Sequence, residues 1–270
     1  MAPKRLLATA FLAALAPIAA SAASYTFDLA SETSIYDPAG DPGTFLNDYT
    51  LSITDGGLTG IFGGGYVTGL SYDGSDTVDG GTFQDADRLR RFNNGLGVCN
   101  VGECYSEDPV HSVDGASSNT RDYVELSFYS GGELVDVTLT ALTFGWIGEW
   151  TWGGHDLGFE DTDGSFEILL DTMTGGDIGL GDQLAFSGTV TANLDSYLSR
   201  GSFNLADENL FDSVFGIMAG DMASWKLLAV TVDFTPPPPP PPPEIPLPGA
   251  IWLMLGALGG LAGLRRLRTA

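Results

Sequence analysis

The chain has 270 residues, of which 35 are acidic and 11 are Lys or Arg, so that its formal net charge at pH 7 is −24. A surface this negative repels nucleic acid and anionic lipid headgroups, and the composition therefore argues against both as partners. It attracts divalent cations, although a solvated acidic face is the ordinary reason for such a charge. The length is sufficient for one sizeable hydrophobic core.

The N-terminus has the composition of a secretory signal peptide. A Lys-Arg pair at positions 4 and 5 precedes an apolar run over residues 6–20, and small residues follow at once. This order is typical of a signal-peptidase substrate. We predict a signal peptide over residues 1–23, cleaved after Ala22 or Ala23, and export of the remainder through the inner membrane.

The body, residues 24–235, has the pattern of an all-β domain. Short runs rich in Val, Thr, Tyr and Phe alternate with clusters of Gly and Asp, which favour sharp turns, including the clusters at 56–57 and 63–65. The predicted strands cover residues 25–29, 49–54, 65–68, 123–129, 135–146, 166–170, 184–192 and 225–234. Helical periodicity is scarce, and only residues 85–92 and 207–215 form candidate short helices.

Apolar alternation within the strands predicts which faces are buried. Leu184, Phe186 and Val190 are expected on or near one face of their strand, as in a sandwich. In the run 135–146 the phase changes. Val137 and Leu139 are expected on one face, and the apolar residues Leu142, Phe144 and Trp146 on the other. That pattern predicts a central strand partly buried on both sides, and we predict a single β-sandwich of the jelly-roll type.

The chain contains two cysteines, Cys99 and Cys104. In an exported protein they form a candidate disulfide. Closing so short a loop stabilises by about 2 kcal/mol in the chain-entropy model, so the bridge would shape a local loop rather than hold the domain together. Zinc would need more ligands than this pair offers.

Calcium is the candidate small partner, because Asp, Glu and backbone carbonyls supply the hard oxygen ligands that it prefers, and acidic residues cluster in several predicted loops. The preferred site consists of Glu160, Asp161 and Asp163, where a tight loop beside Gly164 can bring carboxylates onto one ion. Other clusters lie at 73–79 and 85–87, and none has the EF-hand spacing. The alternative is an ordinary Asp-Gly turn without a metal.

Two tryptophans suggest a second kind of ligand. Trp150 and Trp152 flank Thr151 in a Gly-rich segment and share a face, so they form a candidate platform for a sugar ring. Packing of the loop against the body is the alternative that we prefer. The two histidines, His111 and His155, lie outside any catalytic motif, and we predict no enzymatic activity.

A proline-rich linker follows the body. Residues 236–243 are eight consecutive prolines, and Glu244 ends the segment. In the polyproline II conformation eight residues extend roughly 25 Å, which makes the segment a stiff, solvated spacer.

The C-terminal segment, residues 245–270, combines a short motif, an uncharged stretch and a basic tail. The motif consists of Ile245, Pro246, Leu247, Pro248 and Gly249. Residues 245–264 carry no charge, and about 20 helical residues cover the roughly 30 Å hydrocarbon core, so we predict a transmembrane helix over about 248–264. The basic stop consists of Arg265, Arg266 and Arg268, which orients the C-terminus toward the cytoplasm.

This order of motif, span and basic tail resembles the C-terminal sorting signal of exosortase substrates in Gram-negative bacteria, specifically the VPLPA-CTERM branch of the PEP-CTERM class. Ile245 stands where that branch usually has Val, and Gly249 stands where it usually has Ala. The resemblance implies that an exosortase-type membrane protease removes the span and passes the protein to the cell surface or extracellular matrix. The alternative is an ordinary single-span anchor.

An internal block resembles the core of exosortase-dependent surface proteins that have predicted β-sandwich domains. It consists of residues 95–99, 111–115, 122–128, 137–140 and 144–147. Gly115 stands where that family often has Asn after its Val-Asp pair, here Val113 and Asp114. The resemblance implies a non-catalytic surface or biofilm-matrix component. The alternative is a surface carbohydrate-binding module or glycan-active enzyme, with matrix polysaccharide as its partner.

Overall fold

The computed structural model describes residues 21–30, 44–45, 50–86, 88–92, 94–99, 112–115, 120–149, 163–171, 178–191, 200–221, 223–237 and 254–258. The chain divides into two units, one comprising Ser21–Pro236 and the other Met1–Ala20 with Pro237–Ala270. In the second unit, residues 254–258 are helical. Among the residues that the structure describes, no helix is long and apolar enough to cross a membrane.

The larger unit is built from two antiparallel sheets, which confirms the all-β prediction at that level. The first sheet contains β1 (Ala23–Asp28), β2 (Thr44–Phe45), β6 (Arg88–Phe92), β7 (Gly95–Cys99), β8 (Val113–Asp114), β11 (Val137–Glu149), β14 (Gly201–Asn204), β15 (Leu210–Asp212) and β17 (Ala223–Phe234). The second contains β3 (Leu51–Asp55), β4 (Leu58–Tyr72), β5 (Val78–Asp85), β9 (Thr120–Ser130), β10 (Glu133–Leu134), β12 (Asp163–Leu170), β13 (Gln183–Thr191) and β16 (Val214–Ala219). Each of the eight predicted strands overlaps an observed one.

Strand order places β11 and β17 at the middle of the first sheet and β16, β9 and β4 at the middle of the second. The first sheet runs β14-β11-β17-β7-β6-β2, with β15 beside β11 and with β1 and β8 beside β17. The second runs β13-β12-β16-β9-β4-β3, with β5 beside β4 and β10 beside β9. Neighbours along the chain are often not neighbours in a sheet, so most of the pairing is long-range.

The main core lies between the two sheets. Phe144 and Trp225 of the first sheet have ring centroids 5.0 Å apart, and Phe144 lies 5.1 Å from Phe166 of the second sheet. All three side chains are almost fully buried. Because burial of one large apolar side chain stabilises by about 1.5–3 kcal/mol, contacts of this kind hold the sheets together.

A second apolar cluster covers the other face of the second sheet. It consists of Val67, Val78, Tyr123, Leu169, Ile178, Val214 and Met218. On β9 the residues alternate, since Val124 and Leu126 point into the main core while Tyr123 joins the second cluster. The second sheet is therefore buried on both faces over part of its area.

Both candidate helices are wrong. Residues 88–92 form β6, in which Leu89 is buried in the main core and pairs with Val98. In the other segment Asn209 has a left-handed φ of 54°, after which the chain enters β15. Eight or nine residues are too few for apolar spacing to separate a helix from a strand and turn, and here long-range pairing decides.

The prediction that Val137 and Leu139 face away from Leu142 and Phe144 is also wrong, while the side chain of Trp146 lies outside the described part of the chain. Thr140 is an extra residue on β11, because Leu139 pairs with Val232 while Ala141 pairs with Thr231. This bulge reverses the alternation. The apolar residues on either side of it therefore all point into the same core: Val137, Leu139, Leu142 and Phe144.

A bulge likewise separates residues of β13 that were predicted to share a face. Ile168 pairs with Phe186 while Leu169 pairs with Leu184, so Ala185 is the extra residue. Phe186 packs against the main core, whereas Leu184 packs against the second cluster on the opposite face. The sequence keeps a strict two-residue alternation across this segment, but the extra residue in the strand turns the residues on its two sides toward opposite faces of the sheet.

Candidate functional site

A groove of about 750 Å³ lies at the edge of β4, where that strand changes partner. β3 pairs with β4 as far as Phe62, and β5 pairs with it from Gly65 onward. Gly63 and Gly64 lie between these two pairings and line the groove. The remaining walls include Phe83, Asp85, Tyr123, Glu125 and Ile178.

The glycines of this segment form part of a strand rather than the predicted turn. Gly63, Gly64 and Gly65 lie within the 15 residues of β4. A Cβ at Gly64 would lie 2.5 Å from Leu89 Cδ2 in the main core, and a Cβ at Gly65 would overlap the hydroxyl of Tyr123. At Gly63, by contrast, the nearest atom would be Glu125 Cβ at 3.8 Å. Glycine at 63 therefore leaves open space above the sheet.

Aromatic and acidic side chains form the walls. Phe83 of β5 and Tyr123 of β9 pack edge to face, with ring centroids 6.0 Å apart and an interplanar angle of 61°. Glu125, two residues after Tyr123 on β9, accepts a hydrogen bond from the backbone N–H of Ile178 at 3.1 Å through Oε2. The Ile178 side chain in turn lies over Gly216 of β16, which has no side chain to displace it. The carboxylate is thereby held in a defined position.

A shallower groove of about 340 Å³ lies farther along the second sheet, near Arg121 and Glu167. Arg121 Nη1 donates to Glu167 Oε1 at 2.8 Å, and the Tyr72 hydroxyl donates to Glu167 Oε2 at 2.6 Å. Burial and the bond to Glu167 raise the pKa of Tyr72. Both carboxylate oxygens of Glu167 accept hydrogen bonds from side chains of other strands. The network joins three strands, and we therefore assign it a structural role.

The acidic segment that begins at Asp73 is a hydrogen-bonded turn. Asp73 Oδ1 accepts from Ser75 N at 2.8 Å, from Ser75 Oγ at 2.7 Å and from Thr77 N at 3.0 Å. The hydrogen bonds from Ser75 and Thr77 lower the pKa of this exposed carboxyl. The carboxylate closes the loop itself, as Asp and Asn side chains do in turns.

Asp182 has a similar role in the loop that leads into β13. Its Oδ2 accepts from Gly179 N at 2.7 Å, and its backbone carbonyl accepts from Val78 N at 2.8 Å. The loop is thus attached to β5. This attachment also places Ile178 over the second sheet, where it forms a wall of the larger groove.

The predicted calcium triad falls mostly outside the described residues. Asp163 begins β12 and pairs with Thr191, while Glu160 and Asp161 lie outside. Within the described part of the chain, no group of three His, Cys, Asp or Glu side chains has a geometry that could hold a metal ion.

Other predicted sites also lie outside the described residues. Cys99 ends β7, where it pairs with Arg88, but Cys104 lies outside. Also outside are Trp150, Trp152, His111, His155, the motif residues Ile245, Pro246, Leu247, Pro248 and Gly249, and the arginines Arg265, Arg266 and Arg268. These assignments stay predictions.

Sequence reasoning missed the larger groove. The spacing of Tyr123 and Glu125, two residues apart in a predicted strand, already places both on one face. No local signal shows that Phe83 and Asp85 lie beside them, because β5 reaches β9 only through β4.

Comparison with protein-family models, curated proteins and solved structures gives no match for this chain. The chemistry of the groove follows from its walls. Asp85 and Glu125 supply hydrogen-bond acceptors and negative charge, while Phe83, which packs on the buried Tyr123, supplies aromatic surface. A ligand with donors along its rim and an apolar face suits this combination.

Proposed function

We propose that this chain is a non-catalytic exported protein of the cell surface or extracellular matrix, sorted by an exosortase-type membrane protease. The observation that carries the proposal is the order of elements at the C-terminus. The motif at 245–249 is followed at once by an uncharged stretch and then by Arg265, Arg266 and Arg268. A signal peptide at 1–23 would direct the chain into the export pathway on which this sorting depends.

The body is the cargo in this scheme. It is a single sandwich of the jelly-roll type over residues 24–235, followed by the spacer 236–244 and one transmembrane helix. The acidic composition suits a protein outside the cell, because 35 acidic side chains are accompanied by six basic ones between residues 24 and 244. The fold supports the proposal through its two sheets around a continuous core, a common architecture of extracellular domains.

Processing takes place in two cuts. Signal peptidase removes the leader, and the C-terminal span holds the protein transiently in the inner membrane with its arginines in the cytoplasm. The exosortase-type protease then cleaves at the motif. The released body reaches the surface, where matrix polysaccharide is the expected neighbour.

The experiment changes the motif and leaves the span intact. The variant P246A/P248A alters two prolines of the motif, and P238A/P240A is the matched control, because it alters two prolines of the spacer. Cells of a Gram-negative host that contains an exosortase are separated into inner membrane, outer membrane and medium.

We expect the wild type and the P238A/P240A control at the surface or in the medium, and P246A/P248A in the inner membrane. If all three proteins remain in the inner membrane, the chain is an ordinary anchored protein and the sorting proposal is wrong. If all three reach the surface equally, the motif has no role.

A further inference from the structure

We propose that the groove at Gly63 binds an oligosaccharide that carries free amino groups. The inference goes beyond the sorting proposal and does not depend on it, because the binding test uses the purified protein. It rests on three properties of the groove: its shape, the positions of its polar groups and the sign of its charge.

The shape suits a flat ring. Its volume of about 750 Å³ lies within the roughly 300–1,000 Å³ typical of small-molecule sites. Since Gly63 has no side chain, the floor is bare backbone, and a pyranose can lie against it. Phe83 is half-buried and packs edge to face on the buried Tyr123, so its ring forms an aromatic wall at one side, against which the C–H face of a sugar packs.

The polar groups suit the rim of a sugar. Asp85 and Glu125 are carboxylates on two different strands, and Thr50, immediately before β3, adds a hydroxyl. Glu125 is held in place by the hydrogen bond that its Oε2 accepts from the backbone N–H of Ile178 at 3.1 Å. Fixed acceptors of this kind bind donors of the ligand without first losing side-chain freedom.

The charge decides between kinds of sugar. Among the described residues that line the groove, the charged ones are Asp85 and Glu125, and the chain as a whole carries −24. Uronate and sulfated sugars are therefore repelled. A hydrogen bond from an ammonium group to a carboxylate is roughly twice as strong as a neutral one, so a free amine is preferred over its acetylated form.

Three probes separate the contributions to binding. Calorimetry with the full-length chain in detergent, at 0.15 M salt, compares a glucosamine tetramer, an N-acetylglucosamine tetramer and tetralysine. We expect the glucosamine tetramer to bind at least about tenfold more tightly than either of the others, because it alone combines a ring with an amine. Equal affinity for the acetylated tetramer overturns the role of the amine, and equal affinity for tetralysine overturns the role of the sugar.

Two valine variants locate the site. Val at position 63 places its methyl groups in the groove, while the added Cβ makes only ordinary contact with Glu125. Gly74→Val is the matched control, because a Cβ at that exposed position meets nothing within 4 Å. Both variants are expected to keep the wild-type Tm. At position 63 a β-branched residue suits the strand, and at position 74 the added Cβ contacts no other atom within 4 Å.

We expect Gly63→Val to weaken binding of the glucosamine tetramer at least about tenfold and Gly74→Val to leave it unchanged. Glu125→Gln keeps an acceptor for Ile178 and removes one of the two negative charges of the groove, so it should markedly reduce the preference for the free amine. Unchanged binding in Gly63→Val overturns the proposal. Binding that survives Gly63→Val but is lost in a W150A/W152A variant places the sugar on the tryptophan platform instead.

Discussion

Tyr72, Arg121 and Glu167 join three strands of the second sheet, namely β4, β9 and β12. The ion pair between Arg121 and Glu167 is largely shielded from water, since each side chain is 18% exposed. A shielded carboxylate must be fully paired, because removal of one donor leaves it with an unmet desolvation cost. The Tyr72 hydroxyl supplies the second donor.

Tyr72→Phe is therefore expected to destabilise the fold by about 1–2 kcal/mol at pH 7, as measured by urea denaturation, because a bond to a charged acceptor is lost. The pKa of Tyr72 is raised by burial and by Glu167, so its protonated form stabilises the native state. That contribution is complete below the unfolded pKa near 10 and decreases as the pH rises above it. The difference between the two proteins should shrink above about pH 10. Equal stability at pH 7 would contradict the assignment.

Burial also raises the pKa of Asp212, but for this carboxyl the shift lowers the stability of the native state at pH 7. Its Oδ1 accepts from Ser213 N at 2.6 Å, yet desolvation raises the pKa of the carboxyl, with a further contribution from Asp171 and Asp136. A raised folded pKa means that the charged form is disfavoured in the native state, and this penalty is present at pH 7 and relieved as the pH falls through that pKa.

Asp212→Asn keeps an acceptor for Ser213 and removes the charge. We expect a gain of up to about 1 kcal/mol at pH 7, limited by solvent screening, which disappears as the pH approaches 4. Asp207→Asn, in an exposed turn, is the control for general loss of charge. A gain that is the same at pH 4 and pH 7 would count against a titration of Asp212.

At the scale of elements, bulges determine how the strands fit the core. β11 has one extra residue at Thr140 and another at Gly145, where Phe144 pairs with Leu227 and Trp146 pairs with Lys226. The second bulge brings the backbone of β11 against Asn94. A Cβ at Gly145 would overlap the Asn94 carbonyl oxygen, so only glycine fits there.

Gly145→Ala should destabilise the protein by about 1–3 kcal/mol or more, because backbone atoms must move. Gly63→Ala is the matched control within a strand, and its Cβ makes only ordinary contact. Alanine loses less conformational freedom on folding than glycine, so the control should be neutral or more stable by about 0.5–1 kcal/mol. Thermal unfolding of both variants checks this, and similar losses in the two would show that the close approach at Gly145 is not what matters.

These bulges also explain how far the sequence could predict the fold. Runs of Val, Thr, Tyr and Phe predict eight of the observed strands, because β-branched and aromatic residues suit a pleated, half-buried surface. The predicted direction of the side chains is wrong beyond Thr140 and Ala185. One inserted residue turns every later side chain of the strand to the other face of the sheet, and it leaves the composition unchanged. The register depends on partners that are distant in the chain.

The groove was unpredictable for a related reason. Gly63, Gly64 and Gly65 have the composition of a turn, and only their neighbours show why a strand needs them: Leu89 below Gly64 and Tyr123 above Gly65. Asp85 belongs to an acidic cluster in the sequence, but its place in the same groove as Glu125 depends on the pairing of β5, β4 and β9. Spacing within one strand is readable from sequence, whereas the meeting of three strands is not.

At the scale of the whole molecule, charge is the dominant property. Acidic residues outnumber Lys and Arg by 35 to 11, and the excess is concentrated in the body. Repulsion between the acidic side chains destabilises the compact folded state. Salt weakens this repulsion, because the Debye length falls from about 30 Å at 0.01 M to about 3 Å at 1 M.

We expect the Tm of the protein to rise by several degrees between 0.01 M and 0.5 M NaCl at pH 7. Calcium chloride at matched ionic strength is the control, because an additional rise would indicate a specific site such as that predicted at Glu160, Asp161 and Asp163. A Tm that falls or stays constant with NaCl would contradict net repulsion as the dominant electrostatic effect.

Export and sorting are tested most directly by mass spectrometry of both ends of the protein isolated from its native cells. We predict a mature chain that begins at Ala23 or Ser24 and ends near the motif at 245–249, without the apolar stretch and the arginines that follow it. An intact chain that retains residues 1–23 and 250–270 would contradict export and sorting together.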